Sequence, residues 1–174
     1  DMISWVKEKA PHRAQRISIV YDKRDDKFNS ERWEGWRIGN LRPTFEPILW
    51  FTKPYKIGGT IADNVIENEV GGYNETALLK YISSPDNIIN IRSGKEDSGL
   101  HPTQKPLLLM KALIEMTTIS GQSVLDPFCG SGTTLVAALQ LDRKFIGIEI
   151  GSNFYSIALK RIQSEYERIS LFNS

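Results

Sequence analysis

The residues best suited to chemistry lie in the stretch LDPFCGSGTT, residues 125–134. Asp126 ends an apolar run, and Gly130 and Gly132 form a turn that leads into a helical pattern. Glycine lets a ligand come close to the backbone, and the free N–H groups of a helix start can face that ligand. A second acid, Glu149, ends the next apolar run, where its carboxylate can accept both hydroxyls of a ribose. This arrangement predicts a strand–helix–strand unit for a nucleotide-like ligand.

The details of the loop distinguish between ligand classes. A dinucleotide fingerprint needs a third glycine where Leu135 stands, and a phosphate-binding loop needs a Gly-Lys-Ser/Thr ending that is absent. Asp126 would also repel a pyrophosphate. S-adenosylmethionine carries an ammonium and a sulfonium beside a ribose, and Asp126 and Glu149 suit these two ends. From these residues alone, a structural glycine turn with two solvated acids stays open.

A second stretch, HPTQKP at 101–106, adds a more specific signal. With it the chain closely resembles the DNA amino-methyltransferases that modify adenine N6 or cytosine N4. More narrowly, it is similar to their β-class, in which this segment and a helix immediately precede a D-P-F-x-G-S-G-T-T loop. FIGIEI and FYSIALKRI are similar to the family's next strand and helix, so the specific resemblance covers about 101–168. A looser resemblance covers ISWVKEKAP and FEPILWFTKP.

The resemblance implies an α/β, Rossmann-like S-adenosylmethionine-dependent methyltransferase fold with a circularly permuted motif order. It implies S-adenosylmethionine as cofactor, double-stranded DNA with a flipped base as partner, direct methyl transfer, and no metal. The cofactor-binding residues that it implies are Thr103, Gln104, Lys105, Asp126, Pro127, Phe128, Cys129, Gly130, Ser131, Gly132, Thr133, Glu149 and Ile150.

The resemblance also implies a role for each part of this site. Asp126 would meet the methionine ammonium, and Glu149 would bind the ribose hydroxyls. Residues 103–105 would reach the methionine carboxylate, with the positive charge supplied by the lysine. Residues 128–132 would line the methionine and the adenosine, and Ile150 would pack near the adenine ring.

Two further side chains of these motifs are expected to have supporting roles. His101 is expected to cap and position its segment rather than act as a base. Cys129 is expected to be an inert, half-buried thiol that lines the site.

The family's catalytic motif is absent from the sequence. An exocyclic amine is a poor nucleophile because its lone pair delocalises into the ring. The family answers with [D/N/S]-P-P-[Y/F/W], whose polar groups accept the amine's hydrogen bonds and whose aromatic ring stacks on the flipped base. This chain has eight prolines and no Pro-Pro pair. We therefore assign no catalytic residue and expect the chain alone to be inactive. Adenine is favoured over cytosine as the target, but the motif that would discriminate between them is the one that is absent.

The residue pattern divides the chain into three regions. Residues 1–55 are predicted to hold an antiparallel strand pair and a basic loop of the catalytic region. Residues 56–98 fill the family's target-recognition slot, and 99–174 form the cofactor-binding unit. The predicted strands are 2–7, 45–51, 123–128 and 144–150, with a further extended piece at 16–21 and irregular chain over 22–44. The predicted helices are 75–82, 107–118, 133–141 and 153–168, the last with an inner face of Tyr155, Ala158, Leu159, Ile162 and Tyr166.

Two features of the predicted strands concern the sheet. Pro47 cannot donate a ladder hydrogen bond, so its strand is expected at an edge or a bulge. If 2–7 and 45–51 are the family's antiparallel pair, the strands between them and the cofactor unit are missing. The sheet is then incomplete, and an upstream segment, a partner subunit or a homodimer is expected to complete it.

Composition narrows the function classes further. The chain has 174 residues, a size that suits one domain. No apolar run approaches the roughly 20 residues of a membrane helix, and one cysteine excludes an intrachain disulfide, which favours a cytoplasmic protein. Residues 1–56 hold 12 Lys/Arg and 8 Asp/Glu and all four tryptophans, as in many nucleic-acid-binding proteins. The alternatives are a dinucleotide-binding Rossmann protein and a catalytically empty DNA-binding or specificity subunit completed by a partner chain.

Overall fold

A computed structural model gives the fold and describes residues 1–7, 15–39, 44–52, 56–94, 97 and 99–172. The helices and strands, in chain order, are β1 (Met2–Val6), α1 (Ile17–Asp22), α2 (Lys27–Arg32), β2 (Phe45–Leu49), α3 (Ile61–Asn68), α4 (Glu75–Leu78), β3 (Ile88–Ile89), α5 (Leu107–Thr117), β4 (Ser123–Asp126), α6 (Thr133–Gln140), β5 (Lys144–Gly147) and α7 (Ser152–Phe172).

One sheet has the strand order β2–β1–β3. β1 pairs with β2 in antiparallel register, with Ser4 opposite Pro47, and with β3 in parallel register, with Trp5 opposite Ile89. The predicted antiparallel pair is thus confirmed. Pro47 lies on the edge strand of this sheet, as its missing N–H predicted.

A second sheet consists of β4 and β5, which pair in parallel from Ser123 opposite Lys144 to Asp126 opposite Gly147. α6 connects the two strands and packs against both. The predicted strand–helix–strand unit is therefore confirmed. The parallel register brings the carboxyl ends of both strands to one edge, where Asp126 lies.

Helix α5 joins the hydrophobic cores of the two sheets. Its buried Leu109, Ala112 and Met116 belong to a cluster with Trp5 and Ile89 of the first sheet. On another face of α5, Ile114 packs with Ala137 and Ala138 of α6 in a second cluster. Because residues three and four apart share a helix face, one helix can serve two cores. The cofactor unit is thereby fixed to the rest of the chain.

Residues 16–39 differ from the sequence prediction. The extended piece at 16–21 is wrong, because Ile17–Asp22 is α1, and the irregular chain at 22–44 is wrong where α2 forms. Ile17, Val20 and Tyr21 are half-buried at helical spacing as α1 packs against α2. Asp26 caps α2 by accepting a hydrogen bond from the N–H of Asn29 at 3.1 Å.

Other element boundaries and one helix face also need correction. α3 was not predicted, and α4 ends at Leu78 rather than at residue 82. α7 runs to Phe172, beyond the predicted residue 168. Of its predicted inner face, Tyr155, Leu159 and Tyr166 are 50%, 50% and 54% exposed, and only Ala158 is fully buried.

The described strands form two separate sheets, as expected for an incomplete sheet. Apolar side chains on these strands and just beyond β5 are left in solvent. They are Phe45 (53% exposed), Leu49 (62%), Ile88 (59%), Leu125 (62%), Ile146 (59%) and Ile148 (56%). Exposed apolar side chains on strands of this kind favour association with another chain or aggregation. Among the helices described, none is long and apolar enough to cross a membrane.

Candidate functional site

The two motifs singled out in the sequence meet in space. One pocket of about 160 Å³ is lined by His101, Thr103, Gln104, Lys105, Asp126, Phe128, Cys129, Gly130, Ser131, Thr133 and Thr134. A further hollow of about 470 Å³ continues past His101 and is lined by Asp97, Gly99, Leu100, Pro102 and Gln104. The first pocket is smaller than the ~300–1,000 Å³ of typical ligand sites. The motif residues thus lie together around one small pocket, which shares His101 and Gln104 with the neighbouring hollow.

The turn after β4 has a conformation that its glycines permit. The Asp126 carboxylate accepts a hydrogen bond from the N–H of Phe128 at 3.0 Å, which starts the turn. Gly130 and Gly132 have φ of +53° and +80°, in the left-handed region that disfavours side chains. The turn leaves Phe128 87% exposed beside the pocket. The turn thus leaves its backbone and the ring of Phe128 accessible to a ligand.

The second predicted acid is tied to the same loop. One oxygen of Glu149 accepts from the N–H of Gly130 at 2.9 Å, and the other accepts from Gly151 at 2.7 Å. A carboxylate has about four acceptor positions, so it retains capacity for ligand hydroxyls. Ile150, next in the chain, is fully exposed.

The charges of both acids, Asp126 and Glu149, act on the thiol of Cys129 in the loop. Burial raises the pKa of the Cys129 thiol, and the charges of Asp126 and Glu149 raise it further. The thiol is therefore held in its protonated form at neutral pH, as expected for an inert lining residue. The same pair of negative charges favours a cationic ligand.

The imidazole ring of His101 packs against the glycine loop. Its Nδ1 accepts a hydrogen bond from the N–H of Thr103 at 3.2 Å, and its ring lies 4.2 Å from the ring of Phe154. A side chain on Gly130 would meet the imidazole at 3.5 Å. His101 thus packs between the loop and α7, in agreement with a positioning role.

Lys105 has a partner that the sequence did not reveal. Its ammonium pairs with a carboxylate oxygen of Glu46 on β2, and Lys7 pairs with the other oxygen. Burial opposes the ionised form of Glu46, but hydrogen bonds and charges from both lysines outweigh it and lower the Glu46 pKa. The three groups carry a net charge of +1 beside the pocket. The strand alternation of FEPIL places Glu46 on one face of β2. Its partner Lys105 is 59 residues away, so no local sequence pattern predicts the pair.

A second residue missed by the sequence analysis is Arg161 on α7. Its Nη1 donates to the carbonyl oxygen of Ser131 at 2.7 Å and lies 3.1 Å from Oγ1 of Thr133. The predicted inner face of α7 contained only apolar and aromatic residues and did not include this arginine.

The structure places the predicted site residues as follows. Thr103, Gln104, Lys105, Asp126, Phe128, Cys129, Gly130, Ser131 and Thr133 line the pocket. Pro127 is exposed on the turn, Gly132 is buried beneath it, Glu149 is hydrogen-bonded to it, and Ile150 lies outside it in solvent. Over the described ranges, no group of three or more His, Cys, Asp or Glu residues could hold a metal ion.

Comparison with known proteins identifies the family. Residues 1–160 match the model of the DNA methylase family. The chain belongs to this family. The predicted resemblance to the DNA amino-methyltransferases is thereby confirmed.

Individual relatives agree with this membership. The Type II methyltransferase M.HindIII of Haemophilus influenzae is 54% identical over 170 residues, which cover 95% of this chain and 55% of M.HindIII. The DNA adenine methyltransferase YhdJ of Escherichia coli is 35% identical over 131 residues, 68% of this chain and 44% of YhdJ. The chain thus spans about half the length of these relatives.

A solved structure supports the same fold. The crystal structure of an M1.HpyAVI–SAM complex aligns with a TM-score of 0.58 and 26% identity, over 93% of this chain and 60% of that one. The methyltransferase fold predicted from the sequence is confirmed by this likeness.

Proposed function

We propose that this chain is the cofactor-binding and target-recognition portion of an S-adenosylmethionine-dependent DNA amino-methyltransferase. The observation that carries the proposal is the meeting of residues 101–105 with the loop 126–133 around one pocket, in a member of the DNA methylase family. The pairing of these two segments was the expectation drawn from the family resemblance.

The residues at the pocket fit this cofactor. Asp126 and Glu149 supply two negative charges where a methionine ammonium and a ribose would lie, and neither suits a pyrophosphate. Gly130 and Gly132 leave the backbone accessible. Lys105 brings a cation to the lining of the pocket, where it can pair with a methionine carboxylate. When bound, S-adenosylmethionine supplies a methyl group made electrophilic by its sulfonium.

Each predicted residue then has a binding or orienting role. Asp126 holds the methionine ammonium, and Glu149 accepts the ribose hydroxyls. Residues 103–105 hold the methionine carboxylate, and 127–133 line the cofactor along the turn. Phe128 and Ile150, both exposed in this chain, gain apolar contacts with adenosine.

The methyl acceptor in this proposal is an exocyclic amine of a flipped base in double-stranded DNA. Adenine N6 is favoured over cytosine N4, because the relative YhdJ is named a DNA adenine methyltransferase. The amine needs hydrogen-bond acceptors and a stacking ring, and this sequence has no Pro-Pro motif to supply them. We therefore propose that the chain alone is inactive.

We further propose that another polypeptide segment, in the same protein or in a partner subunit, completes the sheet. The exposed apolar residues Leu125 and Ile146 on the cofactor unit, and Leu49 on β2, support this. M.HindIII is nearly twice as long as the region it shares with this chain, which leaves room for such a segment in that relative.

Calorimetric titration with S-adenosylmethionine tests the proposed function, with Asp126→Asn beside the unaltered protein. Asparagine keeps the acceptor for the N–H of Phe128 but removes the charge. A hydrogen bond to a charged group contributes roughly 1.5–3 kcal/mol, so we expect binding about 10–100-fold weaker in the variant. Asp142→Asn, an exposed acid distant from the pocket, should bind normally. Tight binding of NAD with no response to S-adenosylmethionine would refute the proposal.

A further inference from the structure

The guanidinium of Arg161 extends from α7 to the glycine loop, where it contacts Ser131 and Thr133. Its Nη1 lies 2.7 Å from the carbonyl oxygen of Ser131, 3.2 Å from Oγ of Ser131 and 3.1 Å from Oγ1 of Thr133. Ser131 and Thr133 are only 3% and 6% exposed. The arginine thus hydrogen-bonds to buried polar atoms of two residues that also line the pocket.

Burial of this charge has a physical cost. Desolvation lowers the pKa of Arg161, while the negative charge of Asp97 raises it. Asp97 is itself buried and holds the segment before α5 through the N–H groups of Gly94 and Leu107. An apolar side chain at this position would avoid the desolvation cost. A half-buried guanidinium can offset that cost by fixing a particular conformation through its hydrogen bonds.

The hydrogen bonds of Arg161 bear on the orientation of the peptide unit between Ser131 and Gly132. Arg161 binds the carbonyl end of this unit, and the N–H end donates to the carbonyl oxygen of Cys129 at 2.8 Å. Glycine adopts both signs of φ readily, so a peptide unit beside Gly132 can rotate unless both ends are held. With the Arg161 contact, both ends are held.

The neighbouring turn of α7 acts on the same glycine. A side chain at Gly132 would meet Cβ of Ala158 at 2.9 Å and its Cα at 3.2 Å. Ala158 and Arg161 are three residues apart and so share one face of α7. This face packs Ala158 against Gly132 and places the Arg161 guanidinium within hydrogen-bond distance of the Ser131 carbonyl oxygen.

We propose that Arg161 is a positioning residue that sets the cofactor affinity of the loop. This inference rests on the proposed binding of S-adenosylmethionine at residues 126–133. By fixing the Ser131–Gly132 peptide unit, Arg161 keeps the loop in the one conformation that lines the pocket. Without it, the loop samples other conformations, and ligand binding must select the competent one.

The test uses the whole encoded protein, with Arg161→Met to remove the donors and Arg161→Lys to retain one. Arg168→Met is the matched control, because Arg168 is an arginine of the same helix whose side chain is 54% exposed and pairs with Glu165 instead of the loop. Calorimetry at a temperature well below every melting midpoint gives Kd for S-adenosylmethionine. Initial rates give its KM, the DNA KM and kcat.

We expect Kd and KM for S-adenosylmethionine to rise at least tenfold in Arg161→Met and about threefold in Arg161→Lys. kcat at saturating cofactor and the KM for DNA should stay within threefold, and Arg168→Met should match the unaltered protein. If Arg161→Met does not fold, the smaller rise in Arg161→Lys decides. Unchanged cofactor affinity in the folded variants would overturn the positioning role. Absence of S-adenosylmethionine binding by the unaltered protein would refute the proposed function and this role with it.

Discussion

At the scale of single residues, Gly132 meets two separate constraints. Its φ of +80° lies in the left-handed region, and a Cβ atom there would come within 2.9 Å of Ala158. The first constraint is local to the backbone, and the second comes from α7. Gly121 has nearly the same φ, +81°, but a Cβ atom there would meet nothing within 4 Å. The pair therefore allows the two constraints to be separated.

We expect Gly121→Ala to lower the free energy of unfolding by about 1 kcal/mol, the cost of a left-handed alanine. Gly132→Ala adds a clash with Ala158, and overpacking costs typically ~1–3 kcal/mol more. Chemical denaturation of both variants measures the two losses. Equal losses would show that α7 gives way without cost and that close packing on the loop is unimportant.

Glu46 gives the stability of the site a pH dependence. Burial disfavours its charge, but Lys105 and Lys7 more than compensate, so its pKa in the folded protein is below its usual value of 4.5. A lowered carboxylate pKa stabilises the folded state above the unfolded-state pKa. That contribution is lost as pH falls through the folded-state pKa.

Glu46→Gln should therefore lower the free energy of unfolding at pH 7, and the deficit should shrink as pH falls below about 4.5. Urea denaturation of variant and unaltered protein across this range measures the difference. Glu67→Gln is the control, since the Lys56–Glu67 pair is exposed and such pairs contribute little. A deficit that stays constant with pH would mean that Glu46 acts through its shape and not its charge.

At the scale of elements, α5 depends on a cap from outside its own sequence neighbourhood. Pro106 is at the N-cap position and offers no side-chain hydrogen bond. Asp97 instead accepts from the N–H of Leu107 at 2.8 Å and from Gly94 at 2.6 Å. Because α5 contacts both cores, the start of this helix affects the whole fold.

Asp97→Ala should lower the free energy of unfolding by about 1–3 kcal/mol, since it leaves buried N–H groups unsatisfied. Asp26→Ala, which removes the cap of the peripheral α2, should lower the free energy of unfolding less. Thermal and denaturant unfolding measure both variants. A smaller loss at Asp97 than at Asp26 would contradict the remote cap.

Elements that have a periodic apolar pattern and glycine, proline or capping residues at their ends could be predicted from the sequence. α5, β4, α6 and β5 follow this rule, and their boundaries fall within three residues of the prediction. α1 could not, because RISIVY has the β-branched composition of a strand, and its helix depends on packing against α2. α3 had a usable signal, because Thr60 and Asp63 form a capping box.

The site was predictable to the extent that its residues lie in contiguous motifs. Loop 126–132 and segment 101–105 line one pocket because each motif is local and α5 joins them. Glu46 and Arg161 reach the site from 59 and 30 residues away in sequence. Their roles depend on tertiary contacts, and the apolar face predicted for α7 did not include Arg161.

At the scale of the whole molecule, the two sheets present apolar side chains without a covering layer in the described part of the chain. Leu125 and Ile146 are neighbours in the β4–β5 register and are 62% and 59% exposed. Edge strands with apolar faces tend to pair with other chains. The 174-residue chain alone must hide this surface by association or leave it in water.

We therefore expect the isolated chain to associate with increasing concentration in sedimentation velocity. The double variant Leu125→Lys/Ile146→Lys should weaken that association at least tenfold, because two charges would have to be desolvated at the contact. Ile119→Lys and Ile66→Lys change equally exposed apolar residues (66% and 79%) away from these strands and should associate as before. If all four proteins stay monomeric, the strand face needs no partner and the proposed completion of the sheet is wrong. If the control variants weaken association as much as the double variant, the contact is non-specific, and β4–β5 is not the surface that a completing segment covers.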